Sequence, residues 1–301
     1  MAVIPNTEIG PARGGNFEYH WTGPFLEAHL LSDVGKKRSR NEDGCTLCVP
    51  EDKDLARERG ILFAVADGMG GVSGGDFASR LALQTLVEEY YARTEPTTPA
   101  RLSEAVSQAN RRIYQEAENH PEYFGMGTTV SALLIHGDHA YIAHVGDSRV
   151  YLLRNGEGLC QITEDHSLVA EQVRNGYISE DEARTHTLKN LITRAVGTKE
   201  AVKADLIAMR LKVGDTLLLC SDGLSNLVDN TQLSSAMASE NLQGAARVLV
   251  GRALEAGAPD NVTVLLIRVT AQPHKTRMED GAKRFSPSKG GIFSTIRRLI
   301  S

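Results

Sequence analysis

One run of apolar residues in the sequence leads directly into a carboxylate and a glycine-rich turn. Residues 61–66 are all apolar, Asp67 follows them, and Gly68 and two further glycines come next. An uninterrupted apolar run is typical of a strand buried on both faces, so Asp67 is predicted where a rigid strand ends. Glycine lets the backbone approach a ligand closely, and the Gly68 carbonyl is expected to face the same point as Asp67. Such oxygen ligands suit Mg²⁺ or Mn²⁺, whereas an ordinary turn is the alternative interpretation.

Further acidic residues occur where other predicted strands begin or end. Glu42 and Asp43 come just before a strand-like run, Asp222 follows another, and Asp260 precedes a third. A single carboxylate cannot hold two hydrated divalent ions, so carboxylates from distant parts of a chain are commonly combined. The pattern therefore predicts a two-metal site at the ends of several strands. Asp147, in a turn between two predicted strands, is interpreted either as a turn residue or as a further ligand.

Composition bounds the class of protein. The 301-residue chain is 41% hydrophobic, which is enough for a substantial core. We find no apolar run of the roughly 20 residues that would span a bilayer and no secretory signal, so a cytoplasmic location is expected. The four cysteines lie in apolar, strand-like runs and are predicted to be reduced core residues rather than a zinc or redox site.

The net charge of −5 is unevenly distributed along the chain. Of the 33 Lys/Arg and 38 Asp/Glu residues, seven and two respectively fall within residues 271–301. Residues 1–270 therefore carry a net charge of −10. An acidic body argues against nucleic acid as the main partner and agrees with a carboxylate cluster that binds cations.

The order of apolar and polar stretches predicts three segments. Residues 1–25 are expected to be a poorly ordered arm, and residues 26–270 to form one α+β domain with mainly antiparallel sheets covered by helices. Within this domain, residues 164–198 are a helical excursion that either shapes substrate access or merely connects strands. Residues 271–301 form a basic tail. Its apolar stretch, residues 291–300, is interpreted as a site of membrane-surface or protein docking, as a frayed end, or as a helix packed on its own body.

Seven short motifs occur in order between about residues 27 and 270. They are Arg38-x-x-Asn41-Glu42-Asp43, Asp67-Gly68-Met69-Gly70-Gly71, Gly127-Thr128-Thr129, Gly146-Asp147-Ser148-Arg149, Asp165-His166-Ser167, Ser221-Asp222-Gly223-Leu224 and Asp260-Asn261-Val262-Thr263. Together they resemble the metal-dependent protein serine/threonine phosphatases of type 2C, in their bacterial form. The resemblance implies a four-layer αββα sandwich of two antiparallel sheets flanked by helix pairs, with a binuclear Mn²⁺ or Mg²⁺ centre in the cleft between the sheets.

The resemblance also implies a role for each residue of the site. Asp67 would bridge two ions, and a third, weaker ion would bind at Asp147 and Asp222. Arg38 would bind the substrate phosphate. The implied metal-binding residues are Asp43, Asp67, Gly68, Asp147, Asp222 and Asp260, with Glu42 and Asn261 supporting them and Glu42 and Asp43 acting largely through metal-bound waters.

The implied activity is hydrolysis of phosphoserine and phosphothreonine in proteins by a monomer that opposes a bacterial Ser/Thr kinase. Animal members of the family have His where this chain has Met69, so the leaving group must be protonated by metal-bound water or by another residue, for which His166 is an alternative. A catalytically weak phosphatase-like module that senses or binds a partner is the second interpretation. A two-metal phosphodiesterase or nuclease is the third, and the acidic body counts against it.

Overall fold

The chain folds into two β-sheets with helices on their outer faces. The computed structural model describes residues 6–12, 14–70, 74–92 and 94–287, without the side chains of Arg184 and Thr185. The strands of these residues are, in chain order, β1 (Asn6–Gly10), β2 (Phe17–Thr22), β3 (Leu26–Asp33), β4 (Asp43–Val49), β5 (Ile61–Met69), β6 (Gly127–Thr128), β7 (Val130–His136), β8 (His139–Val145), β9 (Arg149–Arg154), β10 (Gly158–Gln161), β11 (Asp205–Arg210), β12 (Thr216–Cys220), β13 (Val262–Val269) and β14 (Lys283–Arg284). The helices are α1 (Lys53–Arg59), α2 (Gly74–Ala92), α3 (Thr98–Asn119), α4 (Leu168–Arg174), α5 (Glu180–Thr185), α6 (Asp222–Ser225), α7 (Asn230–Met237) and α8 (Leu242–Glu255).

The strand order separates the two sheets clearly. The first sheet runs β1-β4-β5-β7-β8-β11-β14, with β6 paired to β5, and the second runs β10-β9-β12-β13-β3-β2. Every pair is antiparallel except β11 with β14, which is parallel. The predicted pair of antiparallel sheets is confirmed, with this one parallel pair at an edge.

Strand β5 shows how the layers are built, because successive side chains of a strand point to opposite faces. Leu62 and Ala64 pack in a core with residues of α2 and α3. Phe63 and Val65 lie in a second core, which is shared with strands of the other sheet. A third core joins that other sheet to α7 and α8. The apolar run is therefore buried on both faces, and the predicted αββα order is confirmed.

The prediction of a poorly ordered arm for residues 1–25 is wrong for residues 6–10 and 17–22. Strand β1 pairs with β4 and strand β2 pairs with β3, so this segment adds an edge strand to each sheet. Side chains of β2 alternate between half-buried and exposed positions, and Phe17, Tyr19 and Trp21 pack against the core between the sheets. The packing of these aromatic side chains stabilises the segment, although the prolines and glycines around it suggested an unstructured arm.

The first part of the predicted basic tail packs on the body. Strand β14 pairs with β11, the Phe285 backbone N–H donates to the Ala208 carbonyl at 2.8 Å, and the Phe285 ring contacts the core between the sheets. The predicted apolar stretch, residues 291–300, lies outside the described residues.

Two other sequence predictions can be compared with the fold. The four cysteines, Cys45, Cys48, Cys160 and Cys220, are buried and unpaired, and burial raises the pKa of Cys48 to about 11, as expected for inert core thiols.

Residues 164–198 contain α4 and α5, and Ser179 caps α5 in a reciprocal arrangement with Glu182. Of the helices within the described ranges, none has the length and apolar character needed to cross a membrane.

Candidate metal centre

Carboxylates from both sheets meet at one end of the sandwich. Asp67 near the end of β5 lies directly opposite Asp43 at the start of β4. In the second sheet, Asp222 follows β12 and Asp260 comes shortly before β13, and these two strands are neighbours. Burial and then the negative charges of its neighbours, Asp43, Asp222, Asp147 and Asp260, raise the pKa of Asp67 well above its usual range. The sequence prediction that these strand ends converge is therefore consistent with the fold.

Asp43 is held by hydroxyl groups of the opposite sheet. Its Oδ2 atom accepts hydrogen bonds from Ser221 Oγ at 2.7 Å and from Thr263 Oγ1 at 2.6 Å. The residue is only 3% exposed, and burial, as the largest effect, raises its pKa to about 7 although both hydroxyls act in the opposite direction. The carboxylate of the first sheet is thus fixed by residues of the second.

Asp147 carries a buried oxygen that no described residue satisfies. The side chain lies in the turn between β8 and β9, is 7% exposed, and its Oδ1 atom has no hydrogen-bond partner among the described residues. Burial and then the charges of Asp222 and Asp165 raise its pKa to about 8. A buried carboxylate oxygen without a donor is costly unless it binds a cation, which favours the ligand interpretation over a plain turn.

Glycine is required at two positions beside the carboxylates. A Cβ on Gly68 would lie 2.1 Å from the Gly75 carbonyl oxygen, so no larger residue fits. A Cβ on Gly75 would lie 2.9 Å from the Gly68 carbonyl oxygen and 2.8 Å from Glu42 Oε1. Gly75 therefore leaves a space that is bordered by a backbone carbonyl and a carboxylate, as expected for hard oxygen ligands.

The donor set fits Mn²⁺ or Mg²⁺, because it consists of carboxylate and carbonyl oxygens without thiol or imidazole. In the part of the chain that the structure describes, no three His, Cys, Asp or Glu side chains are already arranged as a ligand set. Side chains alone do not complete a site of this kind, because Mg²⁺ usually retains several waters and one predicted ligand is the Gly68 carbonyl.

Arg38 lies at the exposed side of the acidic cluster. Its Nη2 atom is 2.8 Å from Asp260 Oδ2, and its Nη1 atom is 3.6 Å from Glu42 Oε2. The Arg38 side chain is 47% exposed, and ion pairs at this exposure contribute little to stability. The guanidinium can therefore exchange the carboxylate for a phosphate at little cost, and its planar donors match phosphate geometry.

Asn261 holds the loop that carries Arg38. Its Oδ1 atom accepts from the Glu42 backbone N–H at 2.8 Å. Its Nδ2 atom donates to the carbonyls of Val34 at 2.8 Å and Arg40 at 3.0 Å. Three hydrogen bonds thus attach Asn261 to the Arg38 loop, and its support of the metal site stays a prediction.

Sequence reasoning missed the hydroxyl residues around the carboxylates. Besides Ser221 and Thr263, Thr129 Oγ1 accepts from the Asp67 backbone N–H at 2.9 Å and is 2.7 Å from Ser148 Oγ. A serine or threonine inside an otherwise apolar strand needs a buried partner. Thr263, placed between apolar neighbours of β13 and close to Asp260 in sequence, carried that signal.

Both ring nitrogens of His166 are engaged, which argues against a role as general acid. Nδ1 accepts from the Gly146 backbone N–H at 3.0 Å, and Nε2 lies 3.1 Å from Asp205 Oδ2. The ring is 4% exposed and lies 4.8 Å, between centroids, from that of His144. His166 therefore fixes the turn that carries Asp147 to the start of β11.

Two sheets that bring carboxylates together at a shared end, with an arginine beside them, are the arrangement expected of a metal-dependent phosphatase. Comparison with known proteins agrees. Residues 36–253 match the sequence model of the family Protein phosphatase 2C. The serine/threonine phosphatase stp of Listeria welshimeri is 39% identical over 247 residues, which cover 80% of this chain and 95% of that protein. The chain belongs to the protein phosphatase 2C family.

Solved structures show the same fold. The crystal structure of the serine/threonine phosphatase Stp1 from Staphylococcus aureus has a TM-score of 0.75 and 33% identity, over 83% of this chain and 97% of that chain. The catalytic domain of the serine/threonine protein phosphatase PstP, in a crystal structure in complex with two manganese ions, has a TM-score of 0.70 and 36% identity. That match covers 82% of this chain and 99% of the PstP chain.

Proposed function

We propose that this protein hydrolyses phosphoserine and phosphothreonine in other proteins, with two Mn²⁺ or Mg²⁺ ions in the acidic cleft. The observation that carries the proposal is the meeting of Asp43 and Asp67 with Asp222 and Asp260 across the two sheets. When bound, the ions would neutralise the phosphate dianion and supply a nucleophilic water at neutral pH.

Each residue of the cleft has a proposed task. Asp67, which is buried among the charges of Asp43, Asp222, Asp147 and Asp260, would contribute to both ions, and the Gly68 carbonyl would contribute to one of them. Asp222 and Asp260 would hold the other ion from the second sheet. Asp43 contributes from the first sheet, and the unsatisfied oxygen of Asp147 is available to a third, weaker ion.

Arg38 orients the substrate. We infer that its guanidinium leaves Asp260 and binds the equatorial oxygens of the phosphate, which develop charge during in-line attack. Glu42 lies within 3.6 Å of the same guanidinium and limits where it can move. Loss of a preorganised donor of this kind typically reduces kcat about 10²–10³-fold.

The experiment that tests the function is hydrolysis of a phosphothreonine peptide by chelator-stripped protein, with and without added Mn²⁺. We expect turnover only with the metal, and none in Asp67→Asn, which keeps the shape of the side chain but removes its charge. Asp54→Asn, on the exposed side of α1, is the matched control and should behave as the wild type.

The other interpretations give different results in the same assay. Absence of turnover with every divalent metal would point to a catalytically weak binding module. Cleavage of a phosphodiester in preference to a small aryl phosphate monoester would point to a diesterase. Full activity of Asp67→Asn would overturn the metal assignment.

The physiological setting follows from the same proposal. The substrates are phosphorylated proteins, and we infer that a bacterial-type Ser/Thr kinase supplies them. We also propose that the protein acts as a cytoplasmic monomer, and that residues 291–300 dock weakly on a protein or a membrane surface. Nucleic acid is not an expected partner of the acidic body.

A further inference from the structure

The segment formed by residues 6–22 touches the loop that carries Arg38. It precedes the stretch that matches the family model, residues 36–253. Between its strands β1 and β2, residues 14–16 form hydrogen bonds with the loop of residues 34–42, and Arg80 on α2 donates to the Ala12 carbonyl at 2.9 Å. We call Ala12 and residues 14–16 the N-terminal turn.

The N-terminal turn supplies two hydrogen-bond acceptors to Asn41, which is 1% exposed. The Asn41 backbone N–H donates to the Gly14 carbonyl at 2.8 Å, and its side-chain Nδ2 donates to the Gly15 carbonyl at 3.1 Å. Asn41 Oδ1 in turn accepts from the backbone N–H of Asp43 at 3.2 Å. The turn therefore fixes which way the Asn41 amide faces.

A directed chain of hydrogen bonds leads from this amide to the Asp43 carboxylate. Asn41 Nδ2 also donates to Ser32 Oγ at 2.9 Å, and Ser32 Oγ lies 2.7 Å from Thr263 Oγ1. Because the Thr263 hydroxyl hydrogen is used toward Asp43 Oδ2, at 2.6 Å, Ser32 must be the donor to Thr263. Every hydrogen in the chain then points toward the carboxylate, which fixes its orientation.

The N-terminal turn also holds the beginning of the Arg38 loop. Asn16 Oδ1 accepts from the Val34 backbone N–H at 2.9 Å, and Asn16 Nδ2 donates to Asp33 Oδ2 at 2.8 Å. Gly14 has a φ of +67°, and a Cβ there would lie 2.5 Å from Cγ of Arg40. The turn and the loop therefore fit closely along several residues.

We propose that the N-terminal turn is a positioning element of the catalytic centre, which sets the geometry of Arg38 and Asp43 through Asn41 and Val34. The inference rests on the proposed phosphatase function. Without the turn, two buried donors of Asn41 lose their acceptors, and the loop has to rearrange to satisfy them. Small displacements of residues that position substrate or metal reduce turnover strongly.

If the N-terminal segment only covered the sheet edges, its disturbance would reduce stability and leave turnover unchanged. Glu18 of β2 offers the matched control. It pairs with Arg247 of α8 at 3.0 Å and lies 3.1 Å from His29 Nε2, and neither of these partners belongs to the N-terminal turn or the Arg38 loop. Glu18→Ala therefore weakens the attachment of the segment without touching the N-terminal turn.

The test compares Asn16→Ala, Gly14→Ala and Glu18→Ala in the full-length protein, at a temperature where circular dichroism shows all variants folded. Turnover of a phosphothreonine peptide and the Mn²⁺ concentration for half-maximal activity are measured. We expect about a tenfold loss of kcat/KM and a raised Mn²⁺ requirement in Asn16→Ala and Gly14→Ala, as for other groups that orient metal ligands. Glu18→Ala should keep the wild-type values of both quantities.

Two results would overturn the inference while leaving the phosphatase function intact. One is an active wild type whose Asn16→Ala and Gly14→Ala variants keep its kcat/KM and Mn²⁺ requirement. The other is an equal loss in Glu18→Ala, which would reduce the segment to an edge cover. An inactive wild type would instead overturn the function and, with it, this inference.

Discussion

At the scale of single residues, the carboxylates of the cleft are buried and repel one another, and a bound cation would reduce both effects. Asp43 and Asp147 are both almost completely buried, and burial raises the pKa of each, to about 7 and about 8. The two differ in their support, since Asp43 accepts two hydroxyl hydrogen bonds whereas Asp147 Oδ1 has no partner among the described residues. They are therefore expected to respond differently to mutation.

For Asp43, the informative change is Thr263→Val, which keeps the shape of the side chain and removes one of the two hydroxyl donors. We expect the Mn²⁺ concentration for half-maximal activity to rise about tenfold, because outer residues that orient a ligand typically contribute that much to metal affinity. Isothermal titration with Mn²⁺ measures the change directly. Thr85→Val is the control, because it removes a buried hydroxyl in α2, outside the acidic cluster. An unchanged Mn²⁺ affinity in Thr263→Val would contradict the role of the Thr263 hydroxyl.

For Asp147, we expect Asp147→Asn to stabilise the chelator-treated protein. A folded-state pKa of about 8 lies above the ordinary value of 3.8, so the carboxyl contributes stability at low pH that is lost as the pH rises through about 8. An amide does not ionise, so the variant does not lose this stability as the pH rises. Its free energy of unfolding in urea should exceed that of the wild type by roughly 1–3 kcal/mol at about pH 8, and by much less near pH 4.5.

The same variant separates two explanations of Asp147. If the carboxylate mainly stabilised its own turn, Asp147→Asn would be less stable than the wild type at both pH values. A gain in stability at high pH would instead indicate that the Asp147 carboxylate destabilises the metal-free fold.

At the scale of elements, the two ends of the described chain attach to opposite edges of the first sheet. Strand β1 lies at one edge and strand β14 at the other. The sequence predicted neither strand. β1 is only five residues long and stands near prolines and glycines, and β14 has two residues, so each is ordered by a distant partner strand, β4 or β11, rather than by a local pattern.

Truncation tests how much the C-terminal attachment contributes. A chain that ends after residue 274 loses the Thr276 N–H bond to Asp138 Oδ1, the Glu279 N–H bond to the Tyr141 hydroxyl, and the packing of Phe285. We expect its free energy of unfolding to fall by about 2 kcal/mol or more, from lost burial and unpaired polar groups.

The matched control ends after residue 287 and keeps all three contacts. It should unfold like the full-length protein in urea. Turnover of a small aryl phosphate should be unchanged in both truncated chains at temperatures well below unfolding, because none of these contacts involves the metal centre. Equal stability of the two truncations would show that the attachment contributes nothing.

At the scale of the whole molecule, the sequence predicted the parts of the fold that depend on local patterns. Long apolar runs located β5, β12 and β13 almost to the residue, and the carboxylates at their ends then converged because strand ends in a sandwich share an edge. The hydrogen bonds that make the site work join residues far apart in sequence, such as Asp43 with Thr263 and Arg38 with Asp260. No periodicity encodes such pairs, so they appear only in the folded chain.

The place of β13 in the second sheet has a consequence for synthesis. This strand lies between β12 and β3, and it pairs along its whole length with residues made more than two hundred positions earlier. Chains emerge from the ribosome N-terminal end first. A nascent or prematurely ended chain that stops before Val262 lacks the central strand of the sheet and Thr263, so it cannot assemble the cleft. Metal-dependent turnover is therefore expected only from chains that include β13.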